Sequence, residues 1–154
     1  MRILASIFGV SMLGLLLLGS CDKTEDPVDY TEVDKGIIQD YIKENGLDAD
    51  STASGLYYVI DKLGTGKYPN QYSDVRVKYK GYFTSGSVFE NPSTAATFNL
   101  SQVIAGWTEG IQLFKEGGEG TLLIPSRLAY GSRETGSVPA NSVLLFDIIL
   151  YEVK

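Results

Sequence analysis

Residues 75–80 read Val-Arg-Val-Lys-Tyr-Lys, a strict alternation of apolar or aromatic side chains with basic ones. Successive side chains of a β-strand point to opposite faces, so this pattern predicts a strand with one buried face and one wet face. The segments 56–63 and 119–124 are also rich in β-forming residues. Gly, Pro, Asn and Ser, which are typical of turns, separate these runs. We therefore expect a sheet of short strands.

A short helix is predicted to cover this sheet. Trp107, Ile111 and Phe114 are spaced as one stripe of a helix, and Gly117-Gly118 is expected to end it. The last segment, 143–153, is almost continuously apolar, which predicts a strand covered on both faces. One short helix among antiparallel strands indicates an α+β domain, in which the helix packs across one face of a curved sheet.

The first twenty residues have the pattern of a secretory signal peptide, with Arg2 before an apolar run from 3 to 18. That run is shorter than the roughly 20 residues of a membrane-spanning helix. Leu18-Gly19-Ser20-Cys21 then resembles a bacterial lipobox, and Cys21 is the single cysteine. We predict a signal peptide over 1–20 and lipid attachment at Cys21. The alternatives are an uncleaved anchor helix and a signal peptide without lipid. The expected location is the cell envelope, lipid-anchored at the outer membrane, with the membrane face left open.

Residues 21–30 are predicted to form an acidic tether, and residues 31–51 a helical extension. Thr31-Glu32-Val33-Asp34 fits the Ser/Thr-x-x-acid pattern that opens a helix, and Asn45-Gly46 is predicted to end it in the left-handed conformation. One apolar face is formed by Ile37, Ile38, Tyr41 and Ile42. A helix this short is not stable alone in water. Its apolar stripe is therefore expected to dock on the domain, pair with another copy of the chain, or contact a partner.

Composition excludes several classes of function. The chain has no histidine, which removes Ser-His-Asp and Cys-His catalysis and His-rich zinc sites. Its formal net charge is −6, and no basic stripe is present to neutralise phosphates, so a nucleic-acid partner is not expected. The glycines at 117, 118 and 120 lack a following Lys-Ser/Thr, which argues against a phosphate-binding loop.

Five fragments, taken in order, resemble the FK506-binding-protein (FKBP) family of peptidyl-prolyl cis/trans isomerases over roughly residues 52–154. They read Val-Lys-Tyr-Lys-Gly at 77–81, Gly-Ser-Val-Phe-Glu at 86–90, Val-Ile-Ala-Gly-Trp-Thr-Glu-Gly at 103–110, Ile-Pro-Ser-Arg-Leu-Ala-Tyr-Gly at 124–131 and Val-Pro-Ala-Asn-Ser-Val-Leu-Leu-Phe at 138–146. The resemblance implies a sheet wrapped around the short helix, enclosing an aromatic pocket that receives proline. It also implies proline-containing polypeptide clients and no cofactor or metal.

Carried over position by position, the resemblance gives a pocket of eight residues: Tyr79, Phe89, Glu90, Val103, Ile104, Trp107, Tyr130 and Phe146. Trp107 would form the floor under the proline ring. The Ile104 backbone N–H and the Tyr130 hydroxyl would donate to substrate carbonyls. Val138 would lie on the rim, in the long loop after Tyr130.

Two positions depart from the family pattern. Glu90 stands where the family usually has Asp, and its longer side chain is expected to aim differently. Ala96 replaces an aromatic residue two positions before Phe98, which predicts a more open wall and leaves sensitivity to macrolide ligands open. These departures motivate an alternative, a non-catalytic chaperone or binding module with the same fold. A surface protein that binds a partner through its many tyrosines is a third hypothesis.

Overall fold

The computed structural model describes residues 28–154. The predicted signal peptide, the lipidation site at Cys21 and most of the acidic tether lie outside the described residues. Within residues 28–154, none of the helices combines the length and the apolar character needed to cross a bilayer.

Residues 28–154 form two α-helices and seven strands, together with three single 3₁₀ turns at Leu100–Gln102, Ile111–Leu113 and Ser126–Leu128. In chain order the elements are α1 (Tyr30–Asn45), β1 (Asp50–Ser51), β2 (Tyr57–Lys62), β3 (Asp74–Tyr82), β4 (Val88–Glu90), β5 (Ala96–Asn99), α2 (Ala105–Gly110), β6 (Glu119–Ile124) and β7 (Leu144–Val153). All pairings are antiparallel, in the order β1-β2-β6-β7-β3-β4, with β5 also paired to β3. The predicted α+β architecture is confirmed.

The inner face of the sheet packs on α2. Val75, Val77 and Tyr79 of β3 are buried, as their alternation predicts. Two glycines on α2 bring the helix close to β6. A Cβ on Gly106 would lie 2.4 Å from Cγ2 of Ile124. A Cβ on Gly110 would lie 2.6 Å from Cδ1 of Leu122, which is also on β6. This close approach holds α2 against the sheet along its whole length.

The helix predicted around Trp107 ends before the last two residues of the predicted apolar stripe, Ile111 and Phe114. The α-helix ends at Gly110 and tightens into one 3₁₀ turn, and Phe114 is already extended, with φ −101° and ψ 149°. Trp107, Ile111 and Phe114 are nevertheless all buried. The predicted stripe therefore identifies the right side chains, but only its first member lies on the α-helix.

The outer face of the sheet is covered in part by α1. Ile38 has no solvent exposure and packs against Leu123 of β6 and Leu145 of β7. Of the three roles considered for α1, docking on the domain is the one the structure contains. The prediction that the last strand is covered on both faces is correct only near its start. Beyond Phe146 the side chains on the outer face of β7 are no longer fully buried, and Tyr151 is 48% exposed.

The start of α1 differs from the capping pattern predicted at Thr31. Asp29 is the N-cap, and its Oδ1 accepts a hydrogen bond from the Thr31 N–H at 2.9 Å. Asp34 does not cap the helix but is buried against Ser126. The predicted stop is confirmed, since Gly46 has φ 61° and its N–H donates to the carbonyls of Ile42 and Lys43.

Candidate active site

A cavity of about 270 Å³ opens between α2, the inner face of β3 and β7, and the loop that carries Tyr130. Its lining consists of Tyr79, Glu90, Phe98, Gln102, Val103, Ile104, Trp107, Tyr130 and Phe146. Fragments more than sixty residues apart in the chain thus converge on one concavity. All the candidate residues except Phe89 reach the lining, while their roles in catalysis stay a prediction.

Trp107 forms the base of an aromatic cluster. Its ring lies edge-to-face against Tyr79 at a centroid distance of 4.9 Å, and against Phe98 and Phe146 at 5.3 Å each. Edge-to-face pairs at such distances are favourable because the positive edge of one ring meets the negative face of another. The indole is only 4% exposed, and its N–H makes no hydrogen bond within residues 28–154. Trp107 is therefore held by ring packing.

Phe89 supports the cavity from behind. Its ring lies edge-to-face against Phe146 at 5.6 Å and packs on Phe83 at 5.0 Å. The space for this pair comes from Gly81 of β3. A Cβ on Gly81 would lie 2.6 Å from the Phe89 ring and 2.9 Å from the Phe146 ring. Gly81 thus belongs to the architecture of the site, although no local sequence pattern indicates this.

Glu90 is joined directly to the cluster. The Tyr79 hydroxyl donates to Oε1 of Glu90 at 2.5 Å. Burial, and then this hydrogen bond and the carboxylate charge, raise the pKa of Tyr79 well above its ordinary value. The phenol therefore stays neutral and remains a donor. The longer Glu side chain thus contacts Tyr79 from the rim of the cavity.

Removing the Glu90 carboxylate should weaken the fold modestly. Glu90→Ala is expected to lower the free energy of unfolding by about 1 kcal/mol, because the buried Tyr79 hydroxyl loses its acceptor while Glu90 itself is solvent-exposed. In a Tyr79→Phe background the same change should cost much less, since no donor remains. Urea unfolding of the four proteins measures this difference. Equal costs in both backgrounds would mean that the bond contributes nothing.

The two predicted donors are both available to a ligand. Ile104 precedes α2, and its carbonyl accepts the N–H groups of Trp107 and Thr108 at 2.9 and 3.1 Å. Its own N–H has no acceptor within the described part of the chain. The Tyr130 hydroxyl likewise makes no hydrogen bond to the described residues, and burial, then the charge of Glu90, raises the pKa of Tyr130. It is therefore a neutral donor.

Four positions differ from expectation or were missed. Val138 is buried within the core cluster instead of forming a rim. Gln102 lines the cavity, and no sequence pattern singled it out. Phe98 also lines it, as its alternation with Thr97 on β5 could have indicated. Ala96 is exposed, pairs with Val77, and does not reach the cavity.

Comparison with known proteins agrees with this geometry. Residues 66–151 match the family model described as FKBP-type peptidyl-prolyl cis-trans isomerase. The chain is 46% identical over 107 residues to FkpA from Aeromonas hydrophila, an alignment covering 68% of this chain and 40% of that protein. The chain spans less than half the length of the curated relatives it matches.

Solved structures give the same assignment. The crystal structure of FkpA from Escherichia coli superposes with a TM-score of 0.73 at 36% identity, covering 82% of this chain and 60% of that one. The crystal structure of AtFKBP13 gives 0.64 at 31% identity, covering 70% and 99% respectively. With the family model matching more than half of its residues, the chain belongs to the FKBP-type peptidyl-prolyl cis-trans isomerase family.

Proposed function

We propose that this domain isomerises X-Pro peptide bonds in exported polypeptides. The observation that carries the proposal is the aromatic cavity of about 270 Å³, with Trp107 at its base and, at its edge, two donors that make no hydrogen bond to any residue between 28 and 154. Drug-sized ligands occupy pockets of roughly 300–1,000 Å³, so a smaller cavity suits a single ring such as that of proline.

The chemistry requires no nucleophile, metal or cofactor. The obstacle to isomerisation is amide resonance, which gives a barrier near 18–20 kcal/mol, and no covalent bond is broken. A site accelerates the reaction if it binds the twisted amide better than either planar isomer. Twisting lowers the charge on the prolyl oxygen, which an apolar site tolerates better than water does.

Each part of the cavity has a proposed role. The Trp107 indole carries the proline ring, and Tyr79 and Phe146 enclose it. The Ile104 N–H and the Tyr130 hydroxyl donate to the carbonyls that flank the reacting bond and hold them while the amide rotates. About 5–7 kcal/mol of differential binding would accelerate the reaction by four to five decades.

The alternative, a non-catalytic chaperone or binding module, is separated by comparing two activities of the same protein. We expect the wild-type protein to accelerate a refolding reaction limited by proline isomerisation. Tyr130→Phe removes one donor without removing the ring, so this variant should increase the refolding rate less than the wild-type protein does. Suppression of aggregation of an unfolded client should be unaffected by the change. A protein that suppresses aggregation but never accelerates the proline-limited phase would be a binding module.

We further propose that the protein is a lipoprotein of the cell envelope. The lipobox-like sequence ending at Cys21 supports this, because it follows an apolar run typical of a signal peptide. Several acyl chains together anchor a protein stably where one chain is marginal. Mass spectrometry of the N-terminal peptide should find acyl groups on Cys21. An unmodified cysteine, or an intact residue 1–20 segment, would exclude lipidation.

A second contact of α1 is proposed on its outward side. Tyr30, Val33 and Ile37 are spaced at i, i+3 and i+7, and each remains partly exposed although Ile38 docks on the sheet. Such a stripe is suited to a second copy of the chain. Light scattering at increasing concentration would show dimers for the wild type and monomers for Val33→Lys. A wild-type protein that stays monomeric would exclude this contact.

A further inference from the structure

A buried carboxylate connects α1 to the loop of the candidate active site. Asp34 has no solvent exposure, and Ser126, its partner across the domain, is only 2% exposed. Oδ2 of Asp34 accepts two hydrogen bonds from Ser126, one from the backbone N–H at 2.8 Å and one from the hydroxyl at 2.6 Å. Buried acids are rare unless they are paired, so this contact needs an explanation.

Ser126 in turn holds the backbone on both sides of Tyr130. Its carbonyl accepts the N–H of Ala129 at 2.9 Å and the N–H of Gly131 at 2.8 Å. The Gly131 carbonyl then accepts the Asn141 N–H at 2.7 Å, which closes the base of the long loop. A continuous series of hydrogen bonds thus runs from α1 to the loop that presents the Tyr130 hydroxyl.

Docking of α1 does not by itself require Asp34. Ile38 already buries an apolar side chain against the sheet one turn later. Replacing both partners of a buried hydrogen bond with apolar groups of the same shape can be nearly neutral or stabilising, so this polar contact is not the simplest way to attach a helix. A side-chain carboxyl oxygen can accept two hydrogen bonds at once, and here it takes both the N–H and the hydroxyl of one residue. Asp34 is therefore suited to fixing the orientation of its partner.

We propose that Asp34 is a positioning residue of the isomerase site: through Ser126 it sets the backbone of residues 129–131 and hence the direction of the Tyr130 hydroxyl. The inference rests on the proposed function, because Tyr130 is assigned there as a donor to substrate. It makes α1 a structural part of the site.

The test compares three variants of the full protein, purified in detergent, in a peptide isomerisation assay. Asp34→Ala should lower kcat/KM about tenfold, equivalent to about 1.4 kcal/mol, with most of the change in kcat. Asp34→Asn should restore most of the activity, since its amide oxygen can still accept both bonds. Ile38→Ala should weaken the fold but leave kcat/KM nearly unchanged wherever the protein is folded, because the Asp34 contact is kept.

Two further readouts exclude a merely structural role. In a Tyr130→Phe background, Asp34→Ala should cause no additional loss of kcat/KM, because both changes act on the same donor. Independently of activity, amide hydrogen exchange at Ala129 and Gly131 should accelerate in Asp34→Ala and stay unchanged in Ile38→Ala.

Losses of kcat/KM that multiply in the double variant, or unchanged exchange at residues 129 and 131, would overturn the role of Asp34. An inactive wild-type protein would refute the proposed function instead, and the exchange measurement would still decide whether Asp34 holds the loop.

Discussion

Trp107→Ala is expected to lower the free energy of unfolding by about 3–5 kcal/mol and to remove isomerase activity. The indole is 4% exposed and lies edge-to-face against three rings, so its loss leaves a large gap at the base of the cavity. The surrounding residues cannot close this gap without moving Tyr79 and Phe146. Urea unfolding gives the stability change, and the peptide assay gives the activity at temperatures where the variant is folded.

Trp107→Phe is the matched control. The indole N–H makes no hydrogen bond to the described residues, so replacing it with a phenyl ring removes shape and area but no polar contact. This variant should be destabilised by less than Trp107→Ala and should keep measurable activity. If Trp107→Ala retained wild-type stability, the indole would not be a packed base of the cavity.

Gly81→Ala is expected to lower activity by displacing the two phenylalanine rings that support the wall of the cavity. The added methyl group would lie 2.6 Å from the Phe89 ring and 2.9 Å from the Phe146 ring, too close for either to stay in place. Overpacking of this kind costs about 1–3 kcal/mol. Displacement of a binding wall by about 1 Å can reduce catalysis on the order of a hundredfold. We therefore expect kcat/KM to fall by at least about tenfold, measured beside the urea unfolding curve.

Gly36→Ala is the matched control, because it is the same change in a helix with open space. Apart from the adjacent residues and the backbone of α1 itself, nothing among the described residues lies within 4 Å of the added methyl group, and Ala is favoured over Gly in helices by about 1 kcal/mol. The variant should be slightly more stable and fully active. A Gly81→Ala protein with unchanged kcat/KM would show that Phe89 and Phe146 can shift without affecting the site.

The parts of the fold with a strict local period could be predicted from the sequence. The alternation of 75–80 correctly separates buried from exposed side chains on β3, and the apolar stripe of α1 includes Ile38, which docks. These predictions succeed because the burial of a side chain follows directly from the geometry of one element. The boundaries between the acidic tether, the helical extension over 31–51 and the domain over 52–154 stay a prediction.

Features that depend on a distant partner could not be predicted in the same way. Asp34 fits a capping pattern, yet its carboxylate binds Ser126, because Asp29 already caps α1. The Glu90–Tyr79 bond was missed for a similar reason, since it depends on how β4 pairs with β3. The spacing of glycines contains no information about the rings near Gly81. In each case the deciding neighbour lies on a different element of the fold.

The site was identified by family resemblance more than by periodicity. Trp107 and Phe146 have the burial of ordinary core residues, and burial alone does not distinguish a packed core from a pocket. The pocket is distinguished by the cavity on one side of the aromatic cluster and by the donors at Ile104 and Tyr130, which have no acceptor among the residues that the structure describes. Those groups are expected to act only when a proline ring is bound.

The most direct test of the central claim is exchange NMR on a short X-Pro peptide with a catalytic amount of the protein. The uncatalysed bond isomerises over tens to hundreds of seconds, so no exchange peaks between cis and trans signals are expected without enzyme. With the wild-type protein, exchange peaks should appear at mixing times below about one second, and Tyr130→Phe should weaken them. A folded wild-type protein that produces no exchange would contradict the assignment of this cavity as an isomerase site.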